Sequence, residues 1–321
     1  MVYRKSARVI SNRVNKLYVS IFFMSVLTIV TFATNNIQSY SASLSIDGNQ
    51  TINLNSIETK KIRVDDIDVG YKIIGGGSPI LLINGFSAPL DFWDSTLIGK
   101  LASNHTVITF DNRGIGNTTA GIKQFSIKQF ADDTSGLMDA LKIKKADIIG
   151  WSMGGMIAQE LALSNPDKVG KLIIYASTCG TRQSIPPSPA AVKLFSNQSG
   201  NMMQMLQRFL PLLFPADWRN SNPSFIHDLP KSSEMSSAET LKLQNDAILN
   251  WRGTCDRLRS ITQPTMVLVG TDDILTVPYN SIQIAEKISG SWVVQIKGGG
   301  HAMMMQYPDK FTKIVDTFLQ S

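Results

Sequence analysis

Short apolar runs alternate with longer amphipathic stretches along most of the chain. The apolar runs have the length and composition of strands and lie at residues 80–83, 107–110, 147–149, 172–175, 265–269 and 292–296. The stretches between them have helical periodicity and lie near residues 92–101, 127–141, 153–163, 281–288 and 308–319. Short, almost continuously apolar strands separated by helices are typical of a mostly parallel sheet covered by helices on both faces. The pattern therefore predicts an α/β fold.

Two departures from this alternation define the domain boundaries. Before the first of those strands, residues 61–64 and 67–74 read as a hairpin that feeds the sheet. Between residues 180 and 255 the alternation stops, and two helical apolar stretches replace it, one at 202–214 and one at 241–251. We expect a core formed by 57–179 and 256–321, and a helical cap at 180–255. The apolar face of the cap is expected to pack on the core, although a lid whose methionine side chains line a substrate pocket fits the same residues.

The N-terminal segment has the features of an export signal. Five bases, Arg4, Lys5, Arg8, Arg13 and Lys16, precede a charge-free run from Leu17 to Ile46 whose first half is strongly apolar. A basic region, an apolar region and small residues after it fit a signal peptide over residues 1–34, and the same run has the length of a membrane anchor. Residues 35–56, rich in Asn, Ser and Thr, read as a linker. We expect an extracytoplasmic protein that is secreted or tethered, with membrane contact only through this segment.

Composition excludes several functional classes. The 321 residues are 43% hydrophobic and 17% charged, which suits a large folded domain with an insertion. The net charge is +6, but the five N-terminal bases supply nearly all of it, so the folded part is close to neutral. A phosphate-binding surface needs clustered bases, so no nucleic-acid partner is expected. No P-loop or dinucleotide-binding glycine motif is present, and we expect no cofactor.

The two cysteines, Cys179 and Cys255, are too few for a disulfide framework and lack the close spacing of a metal site. We therefore predict no metal centre. Because both residues flank the predicted cap, a disulfide that closes it in an oxidising compartment is a hypothesis.

The segment from Gly150 to Gly154 contains the motif G-x-S-x-G with Ser152 at its centre. The motif alone is weak evidence, since a glycine-rich turn with an idle serine has the same letters. Here an apolar strand runs into it and an apolar helix leaves it, which is the strand, sharp turn and helix of a nucleophile elbow. Ser152 is therefore the candidate nucleophile.

A serine hydroxyl needs a base within hydrogen-bond reach and a third group to orient that base. Of the three histidines, only His301 follows a strand at the carboxyl edge of the sheet, where open α/β sheets bind ligands. The acid is expected between nucleophile and base in the chain. Asp272 and Asp273 both qualify, and we favour Asp273.

The oxyanion that forms on attack needs preorganised donors. The backbone amide after the nucleophile, that of Met153, is one candidate. The other is the amide of Phe86, in the loop Asn84-Gly85-Phe86-Ser87 that follows the predicted third strand.

Several of these blocks together resemble the α/β-hydrolase fold family over residues 67–321. Besides the elbow, residues 111–116 resemble the family's D-x-R-G-x-G loop, 270–273 its G-x-x-D loop, and 300–302 its terminal histidine block. One position departs, because Asn84 stands where the family has histidine. The position of the cap resembles that of small-molecule esterases, lactonases and carbon-carbon bond hydrolases.

The resemblance and the candidate residues together imply an activity. We expect hydrolysis of an ester-like or lactone-like bond in a small apolar substrate, through an acyl-enzyme on Ser152, as in carboxylic ester hydrolases. Carbon-carbon hydrolysis, peptidase action and perhydrolysis by the same triad remain alternatives, and so does a ligand-binding protein with little turnover.

Overall fold

The computed structural model describes residues 52–180, 182–196, 202–227, 229 and 236–321. Within them, one sheet contains eight strands in the order β1-β2-β4-β3-β5-β6-β7-β8. The strands are β1 Lys60–Val64, β2 Ile67–Gly75, β3 Ser78–Ile83, β4 His105–Phe110, β5 Ala146–Trp151, β6 Val169–Tyr175, β7 Thr265–Gly270 and β8 Trp292–Ile296. The first two strands pair antiparallel, β2 also runs antiparallel to β4, and every later pair is parallel. The predicted hairpin and the predicted parallel sheet are both confirmed.

Helices cover both faces of the sheet, as the pattern predicted. The α-helices are α1 Ser95–Ala102, α2 Ile127–Ala140, α3 Met153–Ser164, α4 Pro189–Ser196, α5 Met202–Leu213, α6 Ala216–Ser221, α7 Ala238–Asn250, α8 Pro278–Ala285, α9 Met303–Gln306 and α10 Pro308–Gln320. Buried side chains of α2, α3 and α8 form the core on one face. Those of α1 and α10 form the core on the other face. Most side chains of the central strands β3 to β7 are buried between these layers, which explains their continuous apolar runs, whereas the edge strand β8 exposes Trp292 and Val293.

The folded body begins a few residues before the boundary expected at residue 57. Ile52 and Leu54 are buried in the core beside α1. The buried Lys72 side chain donates to the carbonyl oxygen of Leu54 at 2.6 Å and forms an ion pair with Asp91. These contacts attach residues 52–56 to the sheet, so the end of the polar segment is part of the fold. The predicted signal or anchor at 1–34 lies outside the described residues, and no helix inside them has the length and hydrophobicity to cross a membrane.

The break in the alternation corresponds to four α-helices, α4 to α7, between β6 and β7 of the described chain. Leu210, Leu213 and Phe214 belong to the same buried core cluster as side chains of α1 and α10, so this part of the cap packs on the main body. Cys179 and Cys255 form a disulfide with a Cα–Cα distance of 4.9 Å. The bond joins the two points at which the chain leaves and re-enters the core.

Candidate active site

Ser152 occupies a strained turn at the carboxyl end of β5. Its φ and ψ are 57° and −117°, and α3 begins at the next residue. A positive φ is costly for a residue with a side chain, and close backbone packing maintains it here. A Cβ atom on Gly150 would collide with the backbone of Gly154, and one on Gly154 would collide with the carbonyl of Ile83. Glycine is therefore needed on both sides of Ser152 for the turn to form.

Asp273 and His301 are brought together at the same edge of the sheet. His301 Nδ1 lies 2.8 Å from Asp273 Oδ2, and both side chains are almost fully buried. The amides of Leu275 and Thr276 donate to the other carboxylate oxygen at 2.8 and 2.9 Å. Asp272 is exposed and bonds to the neighbouring Thr271 hydroxyl. Of the two adjacent acids, Asp273 is therefore the one in contact with His301.

Sequence reasoning missed the role of Thr276. Its hydroxyl donates to Asp273 Oδ2 at 2.7 Å and lies 3.3 Å from His301 Nδ1. The carboxylate thus accepts three hydrogen bonds from its own loop in addition to its contact with the imidazole. Such a carboxylate has little freedom to rotate, and it fixes the orientation of the histidine ring. The hydrophobic pattern of residues 270–278 carries no sign of this contact.

Trp151 and Tyr175, which lie next to Ser152, hydrogen-bond to the backbone of His301. Trp151 Nε1 donates to the carbonyl oxygen of His301 at 3.0 Å, and the Tyr175 hydroxyl donates to the same oxygen at 2.8 Å. The Trp151 ring also lies 5.6 Å from the His301 ring, measured between centroids. Among the described residues, the His301 ring contacts Asp273 and Thr276 through Nδ1 and makes no hydrogen bond with the Ser152 hydroxyl. Catalytic hydrogen bonds are often long before substrate binds and shorten in the complex.

The loop after β3 lies directly beside Ser152. A Cβ atom on Gly85 would lie 3.2 Å from the Cβ of Ser152, so a side chain here would require Ser152 or the loop to shift. Phe86 follows in this loop. Met153 is the first residue of α3, where a helix leaves the amide without an intrahelical acceptor. The two predicted oxyanion donors therefore lie on segments that flank the nucleophile.

Side chains from three segments fix this loop, residues 84–90, which we call the oxyanion loop. The Asn84 side-chain amide donates to the Pro89 carbonyl at 2.9 Å. Asp111 Oδ1 accepts from the amide of Leu90 at 2.6 Å. Gln244 Oε1, from α7 of the cap, accepts from the amide of Ser87 at 2.9 Å. Asn84, the position that departs from the resemblance, thus supports the loop through its own side chain.

The loop that begins at Asp111 is anchored by a buried charge cluster. Arg113 forms ion pairs with Asp66 and Asp133, both at 2.7 Å, and its side chain is fully buried. The hydrogen bond from Arg113 holds the pKa of Asp66 far below its usual range. The two carboxylates in turn raise the pKa of Arg113, outweighing the effect of its burial. These ion pairs attach the loop to the turn before β2 and to α2, which gives Arg113 a structural role.

The remaining histidines lie elsewhere, His105 at the start of β4 and His227 in the cap. No group of three or more His, Cys, Asp or Glu side chains in the described part of the chain is arranged to hold a metal ion.

Comparison with known proteins gives consistent matches across the body of the chain. A family model described as alpha/beta hydrolase fold matches residues 78–308, a range that includes Ser152, Asp273 and His301. The putative carbamate hydrolase RutD of Azorhizobium caulinodans is 29% identical over 256 residues, which are 78% of this chain and 94% of the relative. The protein of the same name from Yersinia enterocolitica is 30% identical over 265 residues, 78% of this chain and 91% of the relative. The enol-lactonase structure from Burkholderia xenovorans LB400 matches with a TM-score of 0.68 and 26% identity, covering 82% of this chain and 100% of that one.

Proposed function

Because this chain belongs to the α/β-hydrolase fold family, we propose that it is a serine hydrolase that cleaves an ester-like or lactone-like bond in a small apolar substrate. Ser152 attacks the carbonyl carbon and forms an acyl-enzyme. His301 takes the proton of Ser152 as the attack occurs and returns it to the leaving group. Water then attacks the acyl carbon as His301 takes its proton, and His301 passes that proton to Ser152 as the acyl–oxygen bond breaks and the acid leaves.

The remaining roles follow from the charges that develop during these steps. Asp273 holds the His301 tautomer that presents Nε2 to the serine and stabilises the imidazolium that forms. The amides of Phe86 and Met153 donate to the oxyanion of the tetrahedral intermediate. The observation that carries the proposal is the buried 2.8 Å contact between Asp273 and His301 at the same sheet edge as Ser152. The strained φ of Ser152 supports it, because a turn of this kind is maintained where it exposes a reactive group.

The type of bond is proposed from the relatives. Relatives of this chain carry the names carbamate hydrolase and enol-lactonase, and both names describe attack on an acyl carbon. An ester, a lactone and a carbamate differ in the group that leaves and share the tetrahedral oxyanion. The same triad would serve all three, so we treat carbamate cleavage as the second candidate. We also propose that the substrate is a small molecule rather than a polymer.

We further propose that the protein works outside the cytoplasm, exported or tethered by residues 1–34. The disulfide between Cys179 and Cys255 supports this, because disulfides persist mainly in oxidising compartments. Expression of the full chain, followed by intact mass measurement of the membrane and soluble fractions, tests this proposal. A full-length product with reduced cysteines in the cytosol would contradict it.

Labelling with a fluorescent alkyl phosphonate tests the nucleophile. We expect wild-type protein to be labelled on the peptide that contains Ser152, and Ser152→Ala to be unlabelled. Ser103→Ala, which changes an exposed serine, is the matched control and should be labelled like the wild type. Folded wild-type protein that fails to react would instead favour a ligand-binding protein on this fold.

A substrate panel tests the reaction. Matched 4-nitrophenyl esters of increasing acyl length, a γ-lactone, an aryl carbamate and an anilide share an acyl carbon and differ in the leaving group. We expect Ser152-dependent turnover of the ester and lactone to exceed turnover of the anilide. Preferred turnover of the carbamate would replace the ester in the proposal, and preferred turnover of the anilide would indicate a peptidase.

A further inference from the structure

The cap contacts the catalytic edge through the buried polar side chain of Gln244 on α7. Its Oε1 accepts the amide hydrogen of Ser87 at 2.9 Å, across 157 positions of the sequence. Gln244 is fully buried and Ser87 is 5% exposed, so water does not compete for this hydrogen bond. Ser87 directly follows Phe86, whose amide we assigned to the oxyanion.

The backbone that donates this hydrogen bond is strained. Ser87 has φ of 58°, a region that residues with a side chain seldom adopt. Such a conformation persists only where the surroundings hold it. The hydrogen bond from the Ser87 amide to Gln244 acts at the strained residue itself. Asn84 and Asp111, by contrast, hold the oxyanion loop at Pro89 and Leu90.

The helix that carries Gln244 is fixed on both sides of it. Near the start of the helix, Thr240 packs closely on Gly114. A Cβ atom added to Gly114 would lie 2.6 Å from the Thr240 methyl group. After the end of the helix, Trp251 Nε1 donates to Glu160 Oε1 of α3 at 2.8 Å. Gln244 lies between these anchors, so its acceptor oxygen has a defined position above the carboxyl ends of the strands.

The Nε2 end of the Gln244 side chain indicates that the hydrogen bond to Ser87 is the reason for a glutamine at this position. Its Nε2 is buried and has no hydrogen-bond partner among the described residues. A buried donor without a partner is unfavourable, so the glutamine gains nothing from that half of its amide. The orientation of the amide is set by Ser87, because only the oxygen can accept an N–H.

We propose that Gln244 is a positioning residue that holds the oxyanion loop in its reactive conformation. The cap thereby contributes to stabilising the transition state and does not only enclose the substrate. The inference rests on the proposed hydrolysis through Ser152. It places no contact between Gln244 and the substrate, and its effect is transmitted through the amide of Ser87 to that of Phe86.

Gln244→Met, similar in volume but without the acceptor oxygen, tests the proposal. We expect kcat for a 4-nitrophenyl ester to fall about 10- to 100-fold, somewhat less than the loss of a whole oxyanion donor, while KM changes less than about twofold. Gln207→Met alters an exposed glutamine of the same cap and should match the wild type. Gln244→Asn keeps the amide but withdraws the oxygen by one methylene, and it should show the same kcat defect even where the methionine variant fails to fold.

An inhibitor pair separates positioning from general damage. A trifluoromethyl ketone forms a tetrahedral adduct with the serine and places an oxyanion in the site, whereas the neutral product alcohol does not. The inhibition constant of the ketone should rise by the same factor by which kcat/KM falls, and that of the alcohol should stay the same. Equal weakening of both inhibitors, a rise in KM alone, or kcat within about twofold of Gln207→Met would overturn the assignment of Gln244. Wild-type protein without Ser152-dependent hydrolysis would instead overturn the proposed function itself.

Discussion

The indole nitrogen of Trp151 donates a hydrogen bond to the main-chain carbonyl of His301, at 3.0 Å. Trp151 is the last residue of β5 and directly precedes Ser152. The hydroxyl of Tyr175, the last residue of the neighbouring β6, donates to the same oxygen at 2.8 Å. The backbone of the candidate base is therefore attached to the two strand ends that also position the candidate nucleophile. A change in either aromatic residue should move His301 relative to Ser152.

Tyr175→Phe tests this attachment with the loss of one oxygen atom. Burial raises the pKa of Tyr175 well above its usual value, so the hydroxyl remains a donor throughout the neutral and mildly alkaline range. We expect the free energy of unfolding to fall by about 1–2 kcal/mol. We expect kcat to fall roughly three- to tenfold, because a small misplacement of a base slows the reaction. Tyr279→Phe, at a tyrosine that is 49% exposed, is the matched control and should leave both quantities unchanged.

Asp273→Asn should show which of the two adjacent acids, Asp272 or Asp273, orients His301. The asparagine keeps the size of the side chain but presents an NH₂ group where His301 Nδ1 or the loop amides now contact carboxylate oxygens. The tautomer of the histidine is then wrong for accepting the serine proton, and we expect kcat to fall by about 10³–10⁴. Asp272→Asn should leave kcat within about twofold, since that exposed side chain makes no contact with His301. If steady-state kinetics instead showed the larger loss of kcat for Asp272→Asn, Asp272 would be the acid that orients His301.

Local patterns predicted the elements well where burial and periodicity act together. The last helix was expected at 308–319 and spans Pro308–Gln320. The helix expected from residue 92 begins at Ser95, because the Asp94 side chain caps it by accepting from the amide of Leu97. In the cap, α5 and α7 have strong apolar patterns and were expected. The helices α4 and α6 are only 8 and 6 residues long and gave no clear periodicity.

The candidate site could be predicted only as far as each residue follows a recognisable strand end. Ser152, Asp273 and His301 each follow an apolar strand with a glycine-containing loop, and parallel strands bring such loops to one edge. Thr276, Tyr175 and Gln244 were missed because their importance lies in a single tertiary contact. Gln244 in particular is separated from Ser87 by 157 positions, and within α7 it reads as an ordinary polar residue. Such contacts have no local signature.

Reduction of the disulfide should destabilise the protein at the base of the cap. Cys179 and Cys255 are separated by 76 positions, and closing a loop of this length restricts the unfolded chain. We expect the free energy of unfolding to fall by about 4 kcal/mol in the double variant Cys179→Ser, Cys255→Ser. Urea denaturation with and without reductant measures this, and reductant should have no effect on the double variant. An intact mass of the untreated wild type that corresponds to two free thiols would contradict the prediction.

The pH dependence of stability should report the ion pair between Asp66 and Arg113. The hydrogen bond from Arg113 lowers the pKa of Asp66 far below its ordinary value of 3.8. A carboxyl with a lower pKa in the folded chain than in the unfolded chain stabilises the fold above the unfolded value. That contribution is lost as the pH falls from about the ordinary value toward the folded one. The free energy of unfolding of the wild type should therefore decrease as the pH falls below about 4.

Asp66→Asn removes this titration and leaves Asp133 as the remaining carboxylate partner of Arg113. We expect the variant to be less stable than the wild type at pH 7 and to lose less further stability between about pH 5 and pH 3. Asp65→Asn, which removes the adjacent and exposed carboxylate paired with Lys123, is the matched control and should keep the wild-type slope. Urea unfolding monitored by tryptophan fluorescence at several pH values measures all three proteins. Equal slopes for the wild type and Asp66→Asn would mean that the buried charge cluster does not govern the acid stability of the loop that supports the site.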